Sequence, residues 1–126
     1  MYGICSAIKV KSIEESLKFY IDGIGYSEYK RLSPQESTTL VFLKDHQGGL
    51  LELIGSDEES ELNKTVAASN VSVVIGIKDL EKTLTDLEKL GFKSEREPFK
   101  VPSGEYIAFI KDPNGVEVEL IENFMM

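Results

Sequence analysis

The sequence predicts an α+β fold built from two β-α-β-β-β modules. Three observations carry that expectation. The stretch FIKDPNGVEVELI, Phe109 to Ile121, repeats FLKDHQGGLLELI, Phe42 to Ile54, at an offset of 67 residues, with seven of thirteen positions identical. At the same offset KSIEESL, Lys11 to Leu17, meets KDLEKTL, Lys78 to Leu84. Both of these segments follow an apolar, strand-like run, CSAIKV in the first half and SVVIGI in the second, and both open a helix.

The elements follow in order from this duplication. In the first helix Ile13, Leu17, Tyr20, Ile21 and Ile24 recur at helical spacing, and in the second Leu80, Leu84 and Leu87 do so. Ser12 followed by Glu15 has the form of a capping box, and Asp79 is a favourable N-cap. Gly25 and Gly91 stand just past the helix ends, where a left-handed residue is wanted; their spacing is one residue short of the general offset. Three strands are then expected in each half: YSEYKRL, TTLVFLK and LLELI in the first, FKSERE, EYIAFIK and VEVELI in the second. The turns DHQG and DPNG join the last two strands of each half, with Pro113 suited to the second position of a type I turn. One domain over 1–126 is expected, with module 1 at about 4–54, an acidic linker at 55–69 and module 2 at 70–122.

Composition narrows the function classes. A chain of 126 residues, 41% hydrophobic and 29% charged, is long enough to bury a core of its own. No apolar run has the length of a membrane span and no basic-then-apolar leader is evident, so a cytoplasmic protein without a membrane partner is expected. One cysteine, Cys5, excludes an internal disulfide and fits a reducing compartment. The net charge of −8 argues against a nucleic-acid partner, since phosphates would be repelled, and steers towards a cationic or polar neutral small-molecule ligand.

Duplicated modules direct attention to equivalent polar positions. Glu52 and Glu119 match, and each shares a strand face with apolar neighbours, Leu50 and Ile54 in one half and Ile121 in the other. A carboxylate buried there without a partner is costly; a cross-strand surface role is the alternative, and the duplication favours the inward-facing position. Cys5 matches Ser72; the faces opposite them carry Ile8 and Val10, or Val73, Ile75 and Ile77, and suit the helices. For Cys5 a small apolar core residue is the commoner role, and for Ser72 a satisfied strand serine. Phe42, Phe109, Tyr20, Phe19 and Phe92 read first as core. Phe99, Lys100 and Tyr106, in and beside the loop EPFKVPSGEY, are candidates for a ligand pocket, with Lys100 placed to meet an anionic group.

The β-α-β-β-β duplication, SLKFY in the first helix, the DPNG turn and the closing ELIE resemble the vicinal-oxygen-chelate superfamily, which includes glyoxalase I, methylmalonyl-CoA epimerase, extradiol dioxygenases and bleomycin-resistance proteins. The resemblance implies an eight-stranded curved sheet, or cup, with the helices outside. It also implies one divalent metal (Ni²⁺, Co²⁺ or Zn²⁺) held on the inner face by four residues, in glyoxalase I typically His, Glu, His and Glu. The matching positions here are Cys5, Glu52, Ser72 and Glu119, so the glutamates are kept and both histidines are missing. The only histidine, His46, lies in the DHQG turn. Two functions therefore stay open: a ligand-sequestering protein with a degenerate metal site and no cofactor, or a glyoxalase-I-like lyase or isomerase in which Glu119 or Glu52 is the catalytic proton carrier. A homodimer is expected on both, with the modules paired within a chain or across the dimer.

Overall fold

The computed structural model describes residues 5–35, 37–56 and 73–124. They fall into two compact units, divided between residues 67 and 68. The first contains β1 (Cys5–Lys9), α1 (Ile13–Leu17) continued by a π-helical turn over Lys18–Ile24, β2 (Ser27–Gln35), β3 (Thr38–Lys44) and β4 (Leu50–Ser56). The second contains β5 (Val73–Ile77), α2 (Leu80–Lys89), β6 (Phe99–Lys100), β7 (Tyr106–Lys111) and β8 (Glu117–Glu122). Each unit forms one four-stranded sheet, ordered β1-β4-β3-β2 in the first and β5-β8-β7-β6 in the second.

The 67-residue repeat survives as identical strand register. In the first sheet Glu52 sits between Ala7 on parallel β1 and Phe42 on antiparallel β3. In the second, Glu119 sits between Val74 on parallel β5 and Phe109 on antiparallel β7. The alternation of a strand then sorts the side chains. Val10, Val41, Leu43, Leu51 and Leu53 are buried on one face of the first sheet with Phe19 and Tyr20 of the helical segment. Val118, Leu120, Ala108 and Ile110 are buried in the second, with Leu80 and Leu87 of α2. Phe42 and Phe109 belong to the opposite faces and are half-buried, so they are not core as their size had suggested; Phe92 is likewise half-buried.

Local sequence signals account for the helix ends. The Ser12 hydroxyl accepts from the Glu15 N–H at 3.2 Å, and the Asp79 carboxylate accepts from the Lys82 N–H at 3.1 Å, each relieving an orphan donor of the first turn. The Leu80 N–H is taken by Glu122 Oε2 at 3.0 Å, which ties the start of α2 to the end of β8. Gly25 and Gly91 adopt φ of 110° and 97°, in the left-handed region where a Cβ is disfavoured. The π-helical turn explains why their spacing falls short of the general offset. The first helical segment has one residue more than the second between its start and its closing glycine, and a wider turn absorbs it.

The two hairpin turns differ in depth. Asp112 is 5% exposed and its carboxylate accepts from the N–H groups of Asn114 and Val116, both at 2.8 Å, and from Asn114 Nδ2 at 2.9 Å. Asp45, its equivalent, is exposed and accepts from the Gln47 and Gly49 N–H groups at 2.8 Å. One expected strand does not form. FKSERE is irregular, and β6 is only two residues, Phe99–Lys100. Four of those six side chains are charged, they do not alternate with apolar ones, and Pro98 follows without an N–H for a ladder.

Candidate functional site

Each sheet has one face on which its helix does not lie, and several of the sequence-predicted residues stand on it. On the first sheet this face carries Cys5, Ala7 and Lys9 of β1, Leu50, Glu52 and Ile54 of β4, and Leu40 and Phe42 of β3, as the register requires. Glu52 is half-buried there, and among the described residues no lysine or arginine forms an ion pair with it. On the second sheet the corresponding face carries Val74, Glu117, Glu119, Ile121, Ile107, Phe109 and Phe99. Glu119 is half-buried and equally without an ion pair among the described residues.

Cys5 is on the surface and not in the core. Its thiol donates to the Ser6 carbonyl at 3.4 Å. Its pKa is raised, first by the water it loses against the sheet and then by the negative charge of Glu52; a hydrogen bond with the Glu52 backbone acts in the opposite direction. The thiol form is thereby favoured over the thiolate, and the thiolate is the form that attacks electrophiles and binds metals. Alkylation of Cys5 by iodoacetamide is therefore expected to be slow at neutral pH. Glu52→Gln removes the charge and should move the rate-against-pH profile to lower pH. An unchanged profile in that variant would show that the two side chains do not interact.

The remaining predicted residues divide between the two faces. Phe99 pairs with Ile107 and stacks on Phe109, ring centroids 6.2 Å apart and planes 25° from parallel. Lys100 pairs with Tyr106, so both belong to the face opposite Phe99. The Tyr106 hydroxyl donates to Glu81 of α2 at 3.3 Å. Desolvation and then the charge of Glu81 raise its pKa. Ser72 lies outside the described residues.

The donor set can be tested against the implied metal. Ni²⁺, Co²⁺ and Zn²⁺ sites draw much of their affinity from neutral imidazole and from thiolate. His46 is exposed in the β3–β4 turn, away from the matching positions, and those positions offer no imidazole: a cysteine and a serine stand where the two histidines would be. Among the described residues no group of three or more His, Cys, Asp or Glu is placed to hold a metal ion. These residues do not fit the implied ion.

One feature absent from the sequence-based expectations adjoins Phe99. The Arg96 guanidinium lies over its ring, 4.2 Å from the centroid, and a hollow of about 200 Å³ opens beside it, lined by Glu95, Arg96, Phe109, Ile110, Lys111 and Glu117. Arg96 falls in the segment read as a strand, and neither its spacing from Phe99 nor its charge singled it out.

Comparison with known proteins agrees with this architecture. Residues 6–120 match the model of the Glyoxalase/Bleomycin resistance protein/Dioxygenase superfamily. A probable lactoylglutathione lyase of Vibrio cholerae serotype O1 is 31% identical over 92% of this chain and 86% of its own length. The crystal structure of glyoxalase I from Zea mays superposes with a TM-score of 0.78 at 25% identity, covering 93% of this chain and 43% of that one. A superfamily member from Sphaerobacter thermophilus DSM 20745 gives 0.75 at 18% identity, over 98% of both chains.

Proposed function

Because the chain belongs to the glyoxalase/bleomycin resistance protein/dioxygenase superfamily, we propose that it binds a small molecule without a resident metal, on the helix-free faces of its sheets, and serves to sequester that ligand. The observation that supports this most is the repeated placement of a half-buried glutamate, Glu52 or Glu119, between an apolar residue and a phenylalanine, with no cation paired to it among the described residues. Leaving a carboxylate in such a position reduces stability, and a ligand cation or hydrogen-bond donor is the natural counterpart. The net charge of −8 favours the approach of a cationic or polar neutral ligand.

A lyase or isomerase similar to glyoxalase I is the second reading, favoured by the identity to the Vibrio cholerae relative. It requires a metal, and the donor set opposes that. The two readings separate in one set of measurements on purified protein. Calorimetric titration with Ni²⁺, Co²⁺ and Zn²⁺ should show no tight binding, and the metal-supplemented protein should not isomerise a hemithioacetal. A thermal-shift screen of cationic and polar neutral small molecules should find compounds that raise the melting temperature, with the rise lost in Glu52→Gln or Glu119→Gln. Tight uptake of one of these ions together with isomerase activity would overturn the binding reading. We also infer a homodimer, supported by the edge strand β2 with exposed Tyr29 and Leu32; sedimentation of the same preparation as a monomer would refute it.

A further inference from the structure

We propose that the hollow beside β7 is a subsite for a small zwitterion with a flat apolar body, its anionic group held by Arg96 and its cationic group by Glu117. This rests on the reading that the helix-free face of the second sheet binds a small molecule, and it specifies the ligand's chemistry there.

The hollow is lined by two acids, Glu95 and Glu117, two bases, Arg96 and Lys111, and the side of Phe109. Glu117 and Lys111 are direct cross-strand partners, yet these four charged groups form no ion pair with one another. Their charge is available to a ligand that presents both signs. A ligand with one sign would satisfy half the site and meet repulsion from the other half. Arg96 has a defined position: its planar guanidinium rests on Phe99, Phe99 stacks on Phe109, and its backbone carbonyl accepts from the Ser94 hydroxyl at 3.2 Å. A guanidinium held over an aromatic ring keeps N–H donors with which it can form a bidentate bond to a carboxylate. A side chain already ordered loses less freedom on binding. The volume of about 200 Å³ is below that of pockets that enclose drug-sized ligands. It suits one ring and its substituents.

L-Phenylalanine, 3-phenylpropionate and 2-phenylethylamine form a probe set that shares the ring and varies the charges. In amide-resolved NMR titrations of the whole chain, L-phenylalanine should shift the signals of Arg96, Phe109, Lys111 and Glu117 and bind more tightly than its two singly charged analogues. Arg96→Gln should weaken L-phenylalanine and 3-phenylpropionate about tenfold and leave 2-phenylethylamine no weaker, since it also removes a repulsive cation. Glu117→Gln should do the converse, weakening L-phenylalanine and 2-phenylethylamine. Both residues are exposed, so each variant should keep the wild-type spectrum elsewhere. Equal binding of all three probes, or indifference to both substitutions, would overturn the zwitterion subsite. Shifts confined to the face around Glu52 would overturn it too while upholding the small-molecule reading. No shift with any probe, alongside hits in the thermal-shift screen, would likewise remove the subsite alone. No response in both experiments would remove the subsite and the broader reading together.

Discussion

Asp112→Ala is expected to destabilise the protein by about 3–4 kcal/mol, and Asp45→Ala, the equivalent change in the other half, by about 1 kcal/mol. Both carboxylates organise a β-hairpin turn, but water has different access to the donors they leave behind. Asp112 is 5% exposed and takes hydrogen bonds from the Asn114 and Val116 backbone N–H groups and from Asn114 Nδ2. Its removal strands donors in a buried turn, where each carries its desolvation cost. Asp45 and its turn are exposed, so solvent can replace the lost acceptor. Urea denaturation of the two single variants gives the comparison. Losses of equal size would show that burial does not set the difference.

Leu53→Ala should cost a further class of stability, about 3–4 kcal/mol, while Glu52→Gln, on the adjacent residue, should be neutral or mildly stabilising. Leu53 is fully buried, in register with Ile8 on one side and Val41 on the other, and truncation leaves a cavity that packed neighbours only partly fill. Glu52 points to the opposite face, where its charge is half-buried and no ion pair offsets its lost hydration among the described residues. Thermal melts of both variants, read with and without a compound from the screen, separate the roles: Leu53→Ala should lower both melting temperatures in parallel, whereas Glu52→Gln should abolish only the ligand-induced rise. A large stability loss from Glu52→Gln would mean that the carboxylate supports the fold and is not held in reserve for a ligand.

The parts of this molecule that were legible in the sequence are those written in local, repeated chemistry. The Ser12 and Asp79 caps, the glycines at the helix ends and the repeated hairpin each depend on a few neighbouring residues, and the duplication stated each signal twice. The matching register of Glu52 and Glu119 followed from the same repeat, because strand alternation fixes the face once the pairing is known. What was missed depends on three-dimensional partners. Cys5 has a composition typical of a core position, but its face has no helix over it. Phe42 and Phe109 are large and apolar enough for a core and stand, half-buried, on the helix-free faces instead. Lys100 and Tyr106 looked equivalent to Phe99 by their loop position, and the β6–β7 register sorts them to opposite faces. Arg96 owes its place to stacking on Phe99 across an irregular segment, and no periodicity records such a contact.

The π-helical turn at Lys18–Ile24 bears on how the two halves have diverged. An insertion in a loop ordinarily leaves the flanking strands unaffected, whereas one inside a helix rotates everything beyond it by about 100°. Here the additional residue is confined to one widened turn, and the closing glycine still delivers the chain to β2. The gene could therefore gain a codon in the middle of a packed element without shifting the strand that bears Glu52. A site built on the last strand of each half is insulated from length changes upstream, and the two copies were free to drift apart in their helices while their sheets stayed superposable in register.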